Sequence, residues 1–167
     1  LIASGSTSNS KAGSVGVSVG TSGSGNGGDI AVLSGSSSSS NGAGGNLKIS
    51  SGMGNAGTHS GVTNLLTSDA GSQGSSGGIN IRTGTSTRGS AGTIAIGTGE
   101  ALGGSSGSIL MSVGASDSSV GGHIFLNAGA SGRKTGGSIA IASGDGLVAG
   151  SGSVSLMTGN TNAASGL

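Results

Sequence analysis

The chain contains no proline, cysteine, tryptophan or tyrosine, and Phe125 is its one phenylalanine. Without cysteine there is no disulfide scaffold to hold a small fold together. Charge is equally scarce. Six Lys and Arg stand against five Asp and Glu, a net +1, and the cations are scattered, so neither nucleic acid nor an anionic membrane surface is an expected partner. Long apolar runs are missing too. The longest, such as Ile30 to Leu33 and Ile139 to Ala142, are far too short to cross a bilayer, so no membrane span is expected.

What fills the space is glycine and serine, 41 and 37 of 167 residues. Without a period such a composition reads as a flexible linker; with one it reads as a repeat structure. A period is present. Gly137 to Gly144, GSIAIASG, has close copies throughout, and the glycine closing each copy falls at Gly5, Gly20, Gly35, Gly52, Gly84, Gly99, Gly114, Gly129, Gly144 and Gly159, with Ser68 in its place once. The steps between these marker positions are 15, 15, 17, 16, 16, 15, 15, 15, 15 and 15 residues.

Two aliphatic columns keep the same register. The first is Val15, Ile30, Leu47, Ile79, Ile94, Ile109, Ile124, Ile139 and Val154, broken only by Thr63. The second, two residues on, is Ile2, Val17, Val32, Ile49, Leu65, Ile81, Ile96, Met111, Leu126, Ile141 and Leu156. Spacing by two with β-branched residues predicts a short strand with one buried face, and no segment offers the three-and-four spacing of a helix. Glycines on both sides of each strand predict tight turns at positive φ and close backbone approach.

The expected fold is all-β, a parallel β-solenoid with about 15 residues per coil and roughly eleven coils stacked about 4.8 Å apart. One repeat domain spans 1–167, and its truncated register predicts a fragment of a longer repetitive chain. The extra residues between Gly35 and Gly84, including Ser36 to Ser40, should bulge out as loops. About twenty inward aliphatics are too few to offset the entropy of ordering so glycine-rich a backbone. Copies of the chain are therefore the expected partners. Between the inward columns lies an apolar strip, Ala95, Leu110, Phe125 and Ala140, which is the candidate lateral contact.

Catalytic and ligand-binding signatures give way to composition. GSSGG over Gly74 to Gly78 fits the nucleophile-elbow pattern around Ser76, but no strand-to-helix turn follows. Gly23, Gly25 and Gly28 fit a dinucleotide-binding pattern, yet they precede a predicted strand instead of following one. His59 and His123 fall in different repeats at different offsets, with no further ligand at metal spacing, and the acidic residues are too few for calcium-binding turns. Arg133 and Lys134 read as a solvated turn. No enzyme activity, cofactor or metal is expected.

GSIAIASG, GTIAIGTG and GSVSLMTG, joined by Gly/Ser/Ala-rich spacers, resemble the Gly/Ser-rich repeat regions of secreted surface proteins of diatoms and related stramenopile algae. The resemblance covers the whole chain, implies an extracellular or cell-surface structural role, and transfers no functional residue. The expected function is a non-enzymatic structural subunit of an extracellular filament or surface fibre. Two alternatives stand beside it. An ice-binding solenoid would use Thr67, Thr83, Thr98 and Thr158, which share a column with Val19, Val113 and Ala128. An adhesin is disfavoured by the lack of aromatics for sugar stacking. No Asn-x-Ser/Thr sequon occurs, Asn160 being followed by Thr161 and Asn162, so a glycan would be O-linked to Ser or Thr.

Overall fold

The computed structural model describes residues 2–159; Leu1 and residues 160–167, with the chain ends and the Asn160 tripeptide, lie outside the described residues. Among the described residues there is no helix and no strand. The all-β parallel solenoid is therefore overturned, and with it the stack of coils. No residue among those described is buried, and only Gly54 is even partly covered.

The physical reason lies in where the backbone groups find partners. Stacked coils need each strand to bond its counterpart one repeat, about fifteen residues, away. Here the bonds are local. The N–H of Gly13 donates to the carbonyl of Gly5 at 3.2 Å, Gly45 to Gly35 at 2.8 Å, Gly61 to Gly52 at 2.9 Å, Gly137 to Gly129 at 2.8 Å and Gly152 to Gly144 at 2.9 Å. Each bond ties a marker glycine to the glycine that opens the next motif, so the spacer between them closes into a small loop. A loop of this length closes at lower entropic cost than a fifteen-residue coil, and two aliphatics per repeat bury too little to reverse that preference.

One bend marks the middle of each spacer, at 8–10, 23–25, 39–41, 56–58, 72–73, 87–89, 102–104, 117–119, 132–134 and 147–149. Hydroxyls pin many of them. Ser22 Oγ accepts from the N–H of Gly25 at 3.0 Å, Ser86 from Gly89 at 3.0 Å, Ser116 from Ser119 at 3.2 Å and Ser131 from Lys134 at 2.9 Å. Ser37 Oγ and Thr7 Oγ1 accept from one residue nearer, the N–H of Ser39 at 3.2 Å and of Asn9 at 3.4 Å. All six hydroxyls stand two residues after a marker position, the geometry of a side chain mimicking a backbone turn.

By contact the chain divides into Leu1–Ile81 and Arg82–Leu167. In the first unit, the spacers that exceed the common length contain hydrogen-bonded turns. The Gly42 N–H meets the Ser39 carbonyl at 3.3 Å, Thr58 meets Asn55 at 2.9 Å and Gly74 meets Gly71 at 3.0 Å. Gly57, at φ 78°, supplies the third position of a type II turn. It is the one positive-φ glycine among the described residues, so the expected positive-φ turns at both ends of every motif do not form. The second unit holds five spacers of a single length, from Gly84 to Gly92 through Gly144 to Gly152.

Candidate functional site

The ordered element repeated along this chain is the closure, and its geometry explains one glycine column. A Cβ built on the opening glycine would meet the residue preceding the marker in every repeat. Gly28 faces Val19 Cγ1 at 2.6 Å, Gly122 faces Val113 Cγ1 at 2.6 Å, and Gly13 faces Ser4 Cβ at 3.0 Å. Gly61 faces Ser51 Cβ at 3.3 Å, Gly92 and Gly107 face the methyls of Thr83 and Thr98 at 3.3 Å, Gly137 faces Ala128 Cβ at 3.4 Å and Gly152 faces Ser143 Cβ at 3.4 Å. Gly45 and Gly77 complete the set against Ser34 Cβ at 3.5 Å and the Thr67 methyl at 3.6 Å. The marker glycines, by contrast, look into open space. That is why Ser68 can replace one of them.

The aliphatic columns are left for something else to cover. First-column residues are about half exposed, from 48% at Val154 to 57% at Leu47, while the second column runs from 59% at Leu126 to 84% at Ile2. The strip between them is exposed to a similar degree as the upper end of the second column, Leu110 at 87% and Phe125 at 80%. Ala95 and Ala140 are exposed as well. The expected buried face is absent: both columns are exposed, the first less than the second. The premise that set Leu110 beside Phe125 on adjacent coils falls with the coils. Phe125 instead has a ring neighbour two residues back on its own segment, His123, with centroids 5.6 Å apart and planes tilted by 46°.

Within Arg82–Leu167 one concave region of about 820 Å³ is lined by Ile124, Leu126, Ser155, Leu156, Met157 and Thr158. Its walls are two motifs that are not consecutive. The residues flanking Phe125 line it, and Phe125 itself does not. The sequence reading passed over this region because it paired each motif with the next, whereas these walls are two repeats apart. It also passed over the opening-glycine and bend-hydroxyl columns, both of which an offset-by-offset alignment of the repeats displays.

The remaining sequence motifs stay separate. Among the described residues no three His, Asp or Glu side chains gather as a metal site. Ser131, before Arg133 and Lys134, is engaged by their backbone N–H groups at 3.4 and 2.9 Å. The methyls of Thr67, Thr83 and Thr98 turn toward opening glycines, within the closures. Among the described residues no helix is long and apolar enough to cross a membrane. No family model, curated protein or solved structure matches the chain.

Proposed function

We propose that the chain is a non-enzymatic structural segment of an extracellular filament or surface fibre, in which copies of the chain cover one another's aliphatic columns. The observation that carries this reading is the exposure of a strictly registered apolar pattern: Val19, at 46%, is the least exposed of the large hydrophobic residues named among those described. The chain presents 16514 Å² of accessible surface. A compact monomer of 15.0 kDa presents about 7,000 Å² and an extended chain of that mass about 22,000 Å², so most of the surface a fold would hide is still open. Regular apolar exposure on this scale is the mark of an interaction surface.

The closures give such a segment its regularity. They tie off each spacer between one motif and the next, and the motifs themselves keep one length, so the aliphatics of one copy can meet those of another in register over many repeats. The extracellular setting follows from the resemblance to secreted surface proteins. Electron microscopy and sedimentation of purified chain at micromolar concentration test the reading. Filaments or concentration-dependent oligomers are expected; a species that stays monomeric across the series, with no filaments, contradicts it.

A further inference from the structure

The concave region between Ile124, Leu126 and Leu156, Met157 has a definite chemical character. Its lining is mostly apolar, Ile124, Leu126, Leu156 and Met157, with Ser155 and Thr158 beside them. A matching occupant is an extended segment with aliphatics two residues apart and small hydroxyl residues beside them. That describes the motif itself, as in Ser138, Ile139, Ile141 and Ser143. The motif backbone is also free to pair, since no strand ladder engages it among the described residues. Unpaired extended backbone flanked by apolar side chains is the substrate of strand addition.

We infer that this region seats one motif of a second copy of the chain, which makes it a docking site within the self-association proposed above and rests on that reading. The exposed area favours a copy. The chain exposes on the order of 9,000 Å² beyond a compact protein of its mass, many times the roughly 800 Å² per partner of a stable interface. A copy supplies the complementary motif once per repeat. The low charge of both surfaces, +1 for the whole chain, imposes little electrostatic penalty on like meeting like.

The test uses the full chain. Sedimentation velocity over a concentration series compares the wild type with Leu126→Asp, Leu156→Asp and the control Leu147→Asp, whose side chain lies at a spacer bend and is 98% exposed. A carboxylate forced into an apolar seat should raise the midpoint concentration of assembly by on the order of tenfold for the first two. The control should shift it less than about twofold. In parallel, a photo-cross-linking residue at position 126 is activated in a mixture of isotopically light and heavy chains. Light-to-heavy cross-links ending on motif aliphatics are expected.

Cross-links confined to one chain would mean that its own motif fills the region, and would overturn the inference. Cross-links landing on spacers, or assembly indifferent to Leu126→Asp and Leu156→Asp, would overturn it while leaving self-association standing. Absence of wild-type assembly would remove both.

Discussion

In Leu1–Ile81 the spacers beginning at Gly35, Gly52 and Ser68 are longer than the rest, and each turns through a backbone hydrogen bond between residues three apart. In the described part of Arg82–Leu167 every spacer has one length, and its bend forms without such a bond. Yet the two regions close alike. Opening glycine meets the residue before the marker in both, and the marker glycine stands seven positions after the opening one whether the repeat is Gly45 to Gly52 or Gly137 to Gly144. Inserted residues are therefore consumed entirely in the spacer. The motif length is what the chain protects, and the turn is what it varies.

The comparison breaks most sharply at Gly54, inside a long spacer. A Cβ there would stand 2.5 Å from the His59 carbonyl oxygen and 2.9 Å from that of Thr58, backbone atoms that cannot rotate aside. Gly54→Ala should cost on the order of 2 to 3 kcal/mol of local closure and open the Asn55–Thr58 turn. Faster exchange of the Thr58 amide would report it. Retained protection would mean the long spacer is not held by this turn.

A smaller effect is expected in the regular region. Gly122→Ala presses on Val113 Cγ1, a side chain that can shift, and should weaken that closure by about 1 to 2 kcal/mol. Adding Val113→Ala should restore most of the loss, a coupling that a double-mutant cycle reads directly. Gly114→Ala, at a marker position facing open space, should be neutral or slightly favourable. Equal losses at Gly114 and Gly122 would erase the distinction between the two glycine columns.

The mildest change removes a bend hydroxyl. Ser86→Ala frees the Gly89 N–H to water at this exposed site, and should loosen the bend by about 0.5 kcal/mol, visible as a shifted temperature coefficient of that amide. The matching gain from Ala101→Ser, at a position two after Gly99 where no hydroxyl stands, would sharpen the rule. No response at either site would remove the hydroxyl from the account.

These contacts also mark how far the sequence could be read. The register and the spacing by two were legible in the sequence itself; the buried face they predict does not form, since both columns are exposed. The extra residues after Gly35 and Gly52 were recognisable as loop residues from the same register. Pairing was not legible. A strand signature in Ile139 and Ile141 is compatible with bonds to the next repeat or with none, and glycine-rich spacers tip the balance toward local closure. The candidate strip was drawn from that assumed stacking; its Leu110 and Phe125 are exposed, while Ile124 and Leu126 line the concave region.

Attention to the marker glycines also misdirected the reading. Their column tolerates Ser68, whereas the opening column is glycine at all ten positions from Gly13 to Gly152. The more constant column is the one with a neighbour at its Cβ.

The central claim is that each repeat closes on itself instead of stacking on the next. Proton–proton nuclear Overhauser spectroscopy on dilute, monomeric chain tests it most directly. The account predicts cross-peaks from the Val113 methyls to the Gly122 α-protons and from Val19 to Gly28, with none linking the backbones of Ile109 and Ile124. Regular cross-peaks between residues fifteen apart, with the Val113–Gly122 peak missing, would contradict it.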